Sequence, residues 1–394
     1  MFQKKIAYFL SHPIQYFSPL FKSIAESTEL EVYYFSDAGI SENFDKGFGR
    51  EIKWDTDLLN GYHFTILKNY SRRKALDNKF FDVFNPGVVK VLCKTKASVI
   101  IVNGWSYSST LLVIFFGKLV GKKIWVRAEN PLNQELKKSK KKIIIKKFFL
   151  QHFLFRIFID KCLYIGKESK LFFQFYGIPE TKLIYTPYSV DNVFFNNKHN
   201  SLKNDIAQLK IKLGLPADKK IILFSGKYIE KKRPFDLLMA YVRSRCSEYA
   251  LVMVGEGELR KQMEHFIQKQ SLQHVYLTGF VNQSEIAQYY EIADVFVMCS
   301  GIGETWGLSV NEAMNFEKPV IVSKTCGCST DLVEEGINGF SFEEGDIEHL
   351  ARLLDFVLND EKFRFSAGKR SKEIVGRFSI TAVADNIVNS LPKF

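Results

Sequence analysis

Cysteine is scarce. The 394-residue chain has six, none in a Cys-x-x-Cys pair, and only Cys326 and Cys328 lie close together. That excludes a disulfide-stapled scaffold and a zinc ribbon and leaves reduced thiols. Long apolar runs are missing as well: residues 111–116, and residues 148–159 with the internal His152 and Arg156, are too short or too charged to span a bilayer. There are no short-period repeats and no low-complexity tail, so solenoid architectures fall away. Met1-Phe-Gln-Lys-Lys leads straight into the strand-like Ile6-Ala-Tyr-Phe-Leu10 without a signal-peptide pattern, so the expectation is a cytoplasmic protein. With 46% apolar and 25% charged residues, the composition is that of an ordinary globular protein.

The chain is too long for one core and suits two domains. Short apolar strands alternate with longer helical stretches, the pattern of doubly wound parallel sheets. In the first half, strands are expected near 6–10, 31–35, 99–102, 124–126 and 162–165, with helices near 18–27, 86–96, 107–120, 139–160 and 167–176. The alternation restarts with strands near 221–225, 250–254, 275–278, 295–298 and 320–322. Residues 185–191 read as the crossover, 196–204 as a polar surface loop and 204–213 as a helix.

Charge is uneven. Residues 1–190 carry 30 lysines and arginines against 16 acids, an excess of +14, whereas residues 191–394 stand at −2. Lys137, Lys138, Lys140, Lys141, Lys142, Lys146 and Lys147 precede and interleave with Ile143-Ile-Ile and a phenylalanine-rich stretch. A lysine run of this kind is either a solvated face or a basic amphipathic surface lying on anionic lipid. Nucleic acid is disfavoured, because no nucleic-acid-binding module accompanies the charge.

Residues 304–312, Glu304-Thr-Trp-Gly-Leu-Ser-Val-Asn-Glu312, carry the most chemistry. Gly307 stands just inside what reads as a helix start, with Glu304 on the entry loop and Glu312 two turns in. Such carboxylates can reach the two ends of one ligand lying across a helix N-terminus, where N–H groups and the dipole favour an anion. Carboxylates accept hydrogen bonds from sugar hydroxyls, so hydroxyls at both ends and phosphate between describe a sugar nucleotide. The bland reading is two solvated helix-face glutamates.

The surrounding motifs weigh against the bland reading. The run 290–300, Tyr-Glu-Ile-Ala-Asp-Val-Phe-Val-Met-Cys-Ser, is followed by Glu304 to Met314, then Pro319-Val-Ile-Val322, then Asn338-Gly339-Phe340. Upstream lie Leu223-Phe-Ser-Gly226-Lys227-Tyr-Ile-Glu-Lys-Lys232-Arg-Pro234 and Val252-Met-Val-Gly255-Glu-Gly257-Glu-Leu-Arg260. In order and spacing this resembles the C-terminal domain of retaining family 4 glycosyltransferases with the GT-B fold. The match is dense over about 184–380 and looser before it, where Ser11-His-Pro-Ile-Gln-Tyr16 and Asn103-Gly-Trp105 agree only in placement.

The resemblance implies an α/β fold of two Rossmann-like doubly wound domains facing across a cleft. Residues 1–187, with a returning helix over about 378–394, would bind the acceptor, and residues 188–377 the donor. The implied reaction moves a sugar from a nucleoside-diphosphate sugar to an acceptor hydroxyl with retained anomeric configuration. By the same resemblance Lys227 and Lys232 hold the diphosphate, Glu304 faces the donor sugar and Glu312 the ribose. Thr305, Trp306, Gly307 and Leu308 would offer backbone N–H groups to phosphate. Gly226 lies at the donor, and Phe280 and Val281 lie at the nucleobase. Lys227 stands where family members commonly have arginine; it keeps the charge but loses the bidentate fork. Gly255 and Gly257 read as residues of a tight turn.

The first domain departs from the family. Ser11-His12-Pro13 replaces a glycine-bearing loop, so His12 is either a phosphate or acceptor ligand or a structural residue. Arg127, Glu129 and Asn130 stand where relatives place a histidine, and Trp105 is a further acceptor-side candidate. Asp55-Thr-Asp57 resembles a metal-binding carboxylate pair, but its position favours a turn or cap. No metal or other cofactor is expected, since lysines supply the positive charge. The expected partners are a sugar nucleotide, a saccharide or lipid-linked saccharide acceptor and the anionic inner face of a membrane. A nucleotide-sugar epimerase, a phosphorylase and a non-catalytic membrane scaffold remain as alternatives.

Overall fold

The computed structural model describes residues 5–40, 43–45, 50–52, 57–72, 76 and 79–392. Its strands are β1 (Lys5–Leu10), β2 (Glu29–Tyr34), β3 (Asn43–Asp45), β4 (Arg50–Ile52), β5 (His63–Ile66), β6 (Val99–Asn103), β7 (Lys123–Ala128), β8 (Lys161–Tyr164) and β9 (Leu183–Tyr185). They continue with β10 (Lys220–Ser225), β11 (Tyr249–Val254), β12 (Val275–Gly279), β13 (Val295–Met298), β14 (Val320–Ser323) and β15 (Gly339–Phe342). β3 and β4 form a two-stranded ribbon; the rest build two sheets.

The chain divides into two compact units, Met1–Asn43, Thr56–Tyr188 and Ile380–Phe394 in one and Phe44–Asp55 with Ser189–Ser379 in the other. The first holds a seven-stranded sheet of order β5-β2-β1-β6-β7-β8-β9, the second a six-stranded sheet of order β12-β11-β10-β13-β14-β15. Neighbouring strands run parallel in both sheets. Each is Rossmann-like, starting in the middle, growing to one edge and returning to grow the other way. The reversal falls between β1 and β6 in one sheet and between β10 and β13 in the other, and ligands bind outside the carboxyl ends of strands at such points. The central strands are buried along nearly their whole length, so they read as continuous apolar runs rather than alternating ones.

The ten expected strands are present. β3, β4, β5, β9 and β15 are additional: the first two form the ribbon, and the other three are three or four residues each at a sheet edge. Two expectations need correction. Residues 196–204 are not a surface loop: a helix runs Asn192–Leu202, started by Asp191, whose carboxylate accepts from the Phe194 N–H at 2.9 Å. It buries Phe195 and His199, whose rings meet Phe316. One buried face is enough to hold a helix that is otherwise polar. The helix expected over 139–160 is α-helical only over Lys140–Phe148 and continues as a π-helix over Phe149–Phe158. That widened turn points Leu150, Leu154, Phe155 and Phe158 into the core. The last helix, Ile380–Asn389, lies in the first unit, where Val383, Ala384, Ile387 and Leu391 pack with Ile6, Tyr8, Phe21 and Trp125.

Candidate active site

In the second unit β10 ends at the reversal point, and the next residues, Gly226 and Lys227, emerge at the carboxyl edge. A short 3-10 turn, Glu230–Lys232, brings the chain back over that edge. It stops at Arg233, whose left-handed backbone (φ 49°) caps the helix Pro234–Arg243 and whose Nε binds Asp236 at 2.6 Å. The loop after β13, the strand on the other side of the reversal, delivers Glu304 to the same place. Lys232 Nζ contacts Glu304 Oε2, and Lys231 Nζ lies 3.9 Å from that oxygen.

Lys231 is the residue that sequence reasoning missed. The family pattern draws attention to one lysine of the pair 231–232, yet the turn sends both toward Glu304. Glu304 is buried, not the exposed carboxylate its loop position suggests. Burial pushes its carboxyl up, but the Lys232 and Lys231 ammonium groups outweigh that and hold it below the usual carboxylate range. Burial also lowers both lysines. For Lys232 the Glu304 charge prevails and its ammonium is raised, whereas Lys231 stays lowered. The result is an ionised carboxylate between cations in a low-dielectric pocket, a strong local field.

Gly255 and Gly257 serve this edge: Gly257 opens a turn, its carbonyl accepting from the Arg260 N–H at 3.1 Å, and both glycines also allow a close approach. A Cβ on Gly255 (φ 151°) would sit 1.9 Å from the Gly226 carbonyl oxygen, and one on Gly257 (φ 157°) 2.5 Å from that of Tyr228. They are glycines because the segment after β10 lies directly against them.

The helix Leu308–Asn315 starts at Gly307, whose left-handed backbone (φ 107°) leaves room for the sulfurs of Cys326 and Met298, each 2.9 Å from where a Cβ would be. Trp306 is core: its indole N–H donates to Asn311 Oδ1 at 2.8 Å and its ring meets Phe378. Only its backbone is left to serve a ligand. Thr305 and Leu308 flank it, half-buried. Glu312 is buried too and accepts from the Tyr290 hydroxyl at 2.6 Å. Phe280 and Val281 follow β12, half-buried at the carboxyl edge.

In the first unit the reversal point gathers a second group. Tyr8 on β1 donates to Asn103 on β6 at 2.7 Å, and Ser11 Oγ and His12 Nδ1 share a hydrogen bond of 2.9 Å. Arg127 is buried on β7, its guanidinium carbon over the rings of Phe17 and Tyr188 at 4.7 and 4.8 Å from their centroids. Its Nη1 is 3.8 Å from Glu129, and among the described residues neither Nε nor Nη1 has a hydrogen-bond partner. Asn130 follows, half-buried. The Trp105 ring is taken up by packing against Phe155 and Phe172. Of the carboxylate pair 55 and 57, Asp55 lies outside the described residues; Asp57 accepts from the Leu59 N–H at 3.1 Å, the local bond of a turn.

The seven lysines do not act as one set. Buried Glu135 accepts from Lys146 at 2.8 Å, from Lys138 at 2.9 Å and from the Tyr176 hydroxyl at 2.7 Å. Lys146 also stacks on Phe172 and Tyr176, and Lys147 on Phe175. Lys138 and Lys146 therefore anchor the segment to its domain, while Lys140, Lys141 and Lys142 are exposed.

Two Rossmann-like sheets with charged residues at the reversal point of the second define a class, the GT-B glycosyltransferase fold. The structure of HepE from Anabaena in complex with UDP has it: the two superpose with a TM-score of 0.75 over 98% of this chain and 99% of that one, at 17% identity. Residues 205–374 match the family described as glycosyl transferases group 1. Sulfoquinovosyl transferase SQD2 of Arabidopsis thaliana is 29% identical over 202 residues, 51% of this chain and 38% of the plant protein. Alpha-monoglucosyldiacylglycerol synthase of Acholeplasma laidlawii is 28% identical over 165 residues, 41% and 40% of the two chains. The matched part thus spans less than half the length of these curated relatives.

Proposed function

We propose that the protein is a retaining glycosyltransferase that moves a sugar from a nucleoside-diphosphate sugar to an acceptor hydroxyl. The observation that carries this is Glu304 set against Lys232 and Lys231 at the reversal point of the part that matches group 1. The chemistry must stabilise a departing diphosphate and an oxocarbenium-like sugar. Lys227, Lys232 and the backbone from Thr305 to Leu308 are preorganised positive charge and dipole for the first. The ionised Glu304 serves the second, orienting the sugar and favouring its positive charge. Glu312 takes the ribose hydroxyls, and Gly226, Phe280 and Val281 border the nucleotide. The departing phosphate accepts the acceptor's proton on the same face of the sugar, which accounts for retention without a separate base. Because lysines neutralise the diphosphate, no metal is required. The first unit, with His12, Arg127, Glu129 and Asn130 at its own reversal point, holds the acceptor.

The test is to incubate the purified protein with a panel of sugar nucleotides and membrane lipid extract, with and without a chelator. Release of nucleoside diphosphate together with an α-configured product from an α-configured donor supports the reading. An inverted product, an epimerised donor or strict dependence on a divalent ion overturns it.

Glu312→Ala is expected to weaken donor binding about tenfold to a hundredfold, the worth of a charge-assisted hydrogen bond of about 1.5–3 kcal/mol. Calorimetric titration with the donor checks this, and an unchanged affinity removes Glu312 from the ribose.

The acceptor we propose is a lipid-linked or cell-envelope saccharide, reached by peripheral docking of the first unit on the cytoplasmic face of a membrane. Among the described residues no helix is long and apolar enough to cross one. The segment 140–158 instead exposes Ile144, Ile145 and Phe148, each about 70% accessible, with Phe149, Phe153 and Ile157 beside them. Phe115 and Leu119 of the helix Ser108–Leu119 extend the patch through the Phe115–Phe158 ring contact. An apolar patch bordered by Lys140, Lys141 and Lys142 suits an anionic interface, where each lysine adds about 1 kcal/mol. Co-sedimentation is expected with anionic vesicles and not neutral ones, weakening with salt and dropping when the three lysines become glutamate. Phe148→Ser should remove the part that salt leaves. Equal binding to neutral vesicles, or none, defeats the proposal.

A further inference from the structure

Resting on the donor-site reading, we infer that Lys231 is a third cation of the diphosphate seat and that Glu304 is the seat's internal counter-ion, exchanged for the diphosphate when the donor arrives. Lys231 is built into this place. Its Nζ donates to the Gly303 carbonyl at 3.2 Å, its own carbonyl accepts from the Gly301 N–H at 2.9 Å, and its stem lies so close to Gly303 that a Cβ there would meet Cδ at 2.9 Å. The stem of Lys232 runs along Gly226 in the same way, with Cε 3.6 Å from the Cβ position. The loop that carries Glu304 and the turn that carries the two lysines are therefore laced together, and both ammonium groups converge on one carboxylate oxygen.

The charge balance gives the exchange. Lys231 and Lys232 bring two positive charges to Glu304, which returns one. Partly buried cations need partners, and a donor diphosphate supplies about two negative charges with oxygens on every side. Once it lies on the lysines, Glu304 loses its reason to face them and becomes the acceptor for sugar hydroxyls at the carbon that reacts. Occupation of the seat by the diphosphate thus sets the carboxylate for catalysis, and an empty seat keeps it engaged.

Inorganic pyrophosphate, titrated calorimetrically in the presence of a chelator, isolates this step from the sugar, the base and the acceptor. Glu304→Gln should bind it about tenfold more tightly than wild type, because the competing carboxylate is gone, and Lys231→Ala about tenfold more weakly, the loss of one charge-assisted contact. Lys231 is partly exposed and its truncation is expected to leave a folded protein, which a melting curve checks, so this arm decides the matter even if Glu304→Gln fails to fold. Unchanged binding in Lys231→Ala, or equal or weaker binding in a folded Glu304→Gln, overturns the exchange while leaving the donor site in place. Wild type that binds neither pyrophosphate nor any nucleoside diphosphate overturns both.

Discussion

Glu304→Gln is expected to lower transfer by about a hundredfold to a thousandfold, the usual loss when one preorganised electrostatic group is removed from a transition state. Glutamine keeps the shape and can still accept a hydrogen bond, but it brings no charge. In the proposed reaction the oxocarbenium-like sugar then loses the anion assigned to it. A second effect follows from the burial of the pair. With the carboxylate gone, Lys232 is left as a buried cation without its counter-ion, a change that typically costs about 3–5 kcal/mol. The variant should therefore unfold earlier in a thermal scan than wild type, and pyrophosphate should restore part of the difference by pairing with the lysine. Turnover measured with saturating donor, beside a melting curve with and without pyrophosphate, checks both. Wild-type turnover in the variant would remove Glu304 from the chemistry.

Gly255→Ala should be the most damaging single methyl group at this edge. Its Cβ would lie 1.9 Å from the Gly226 carbonyl oxygen, and the backbone there holds φ at 151°. Strain of that kind costs about 1–3 kcal/mol and overpacking a similar amount. Neither partner can turn aside, because the Gly226 N–H donates to Val254 at 2.9 Å and the Gly255 N–H to Gly279 at 3.0 Å. Relief has to come from displacing Gly226, which carries Lys227 with it and Lys232 alongside. Stability and donor affinity should fall together. Gly87→Ala is the control: nothing lies within 4 Å of its Cβ position and φ is −59°, so melting should hold or rise slightly. Equal behaviour of the two variants would remove the close approach as the reason for Gly255.

The sheets were legible because buried parallel strands are continuous apolar runs, and both series, Ile6 onward and Ile221 onward, are bounded by polar or glycine residues. β5, β9 and β15 escaped because three or four residues at a sheet margin hold too few positions to form a pattern. The helix over Asn192–Leu202 escaped because only Phe195 and His199 turn inward, although Asp191 three residues before Phe194 is a start signal available in the sequence. At the site, residue types and spacing pointed to Glu304, Glu312 and the lysines. The pairing of Glu304 with Lys231 and Lys232 lay beyond reach, since it depends on which strands flank the reversal point. The same holds for Glu135, a single acid in a basic stretch whose partners are fixed only by how the helices stack.

The helix Ile380–Asn389 has a consequence for how the protein is made. Its side chains Val383, Ala384 and Ile387 cover Ile6, Tyr8 and Trp125 of the first unit, yet the whole second unit is translated between them. At about 5–20 residues per second on the ribosome, the face of the first sheet that awaits this helix stays uncovered for tens of seconds. Meanwhile the second unit has all of its own strands and can close. The nascent chain therefore passes through a stage with one finished unit and one unfinished one, and that uncovered face is where a chaperone would bind and where aggregation would begin.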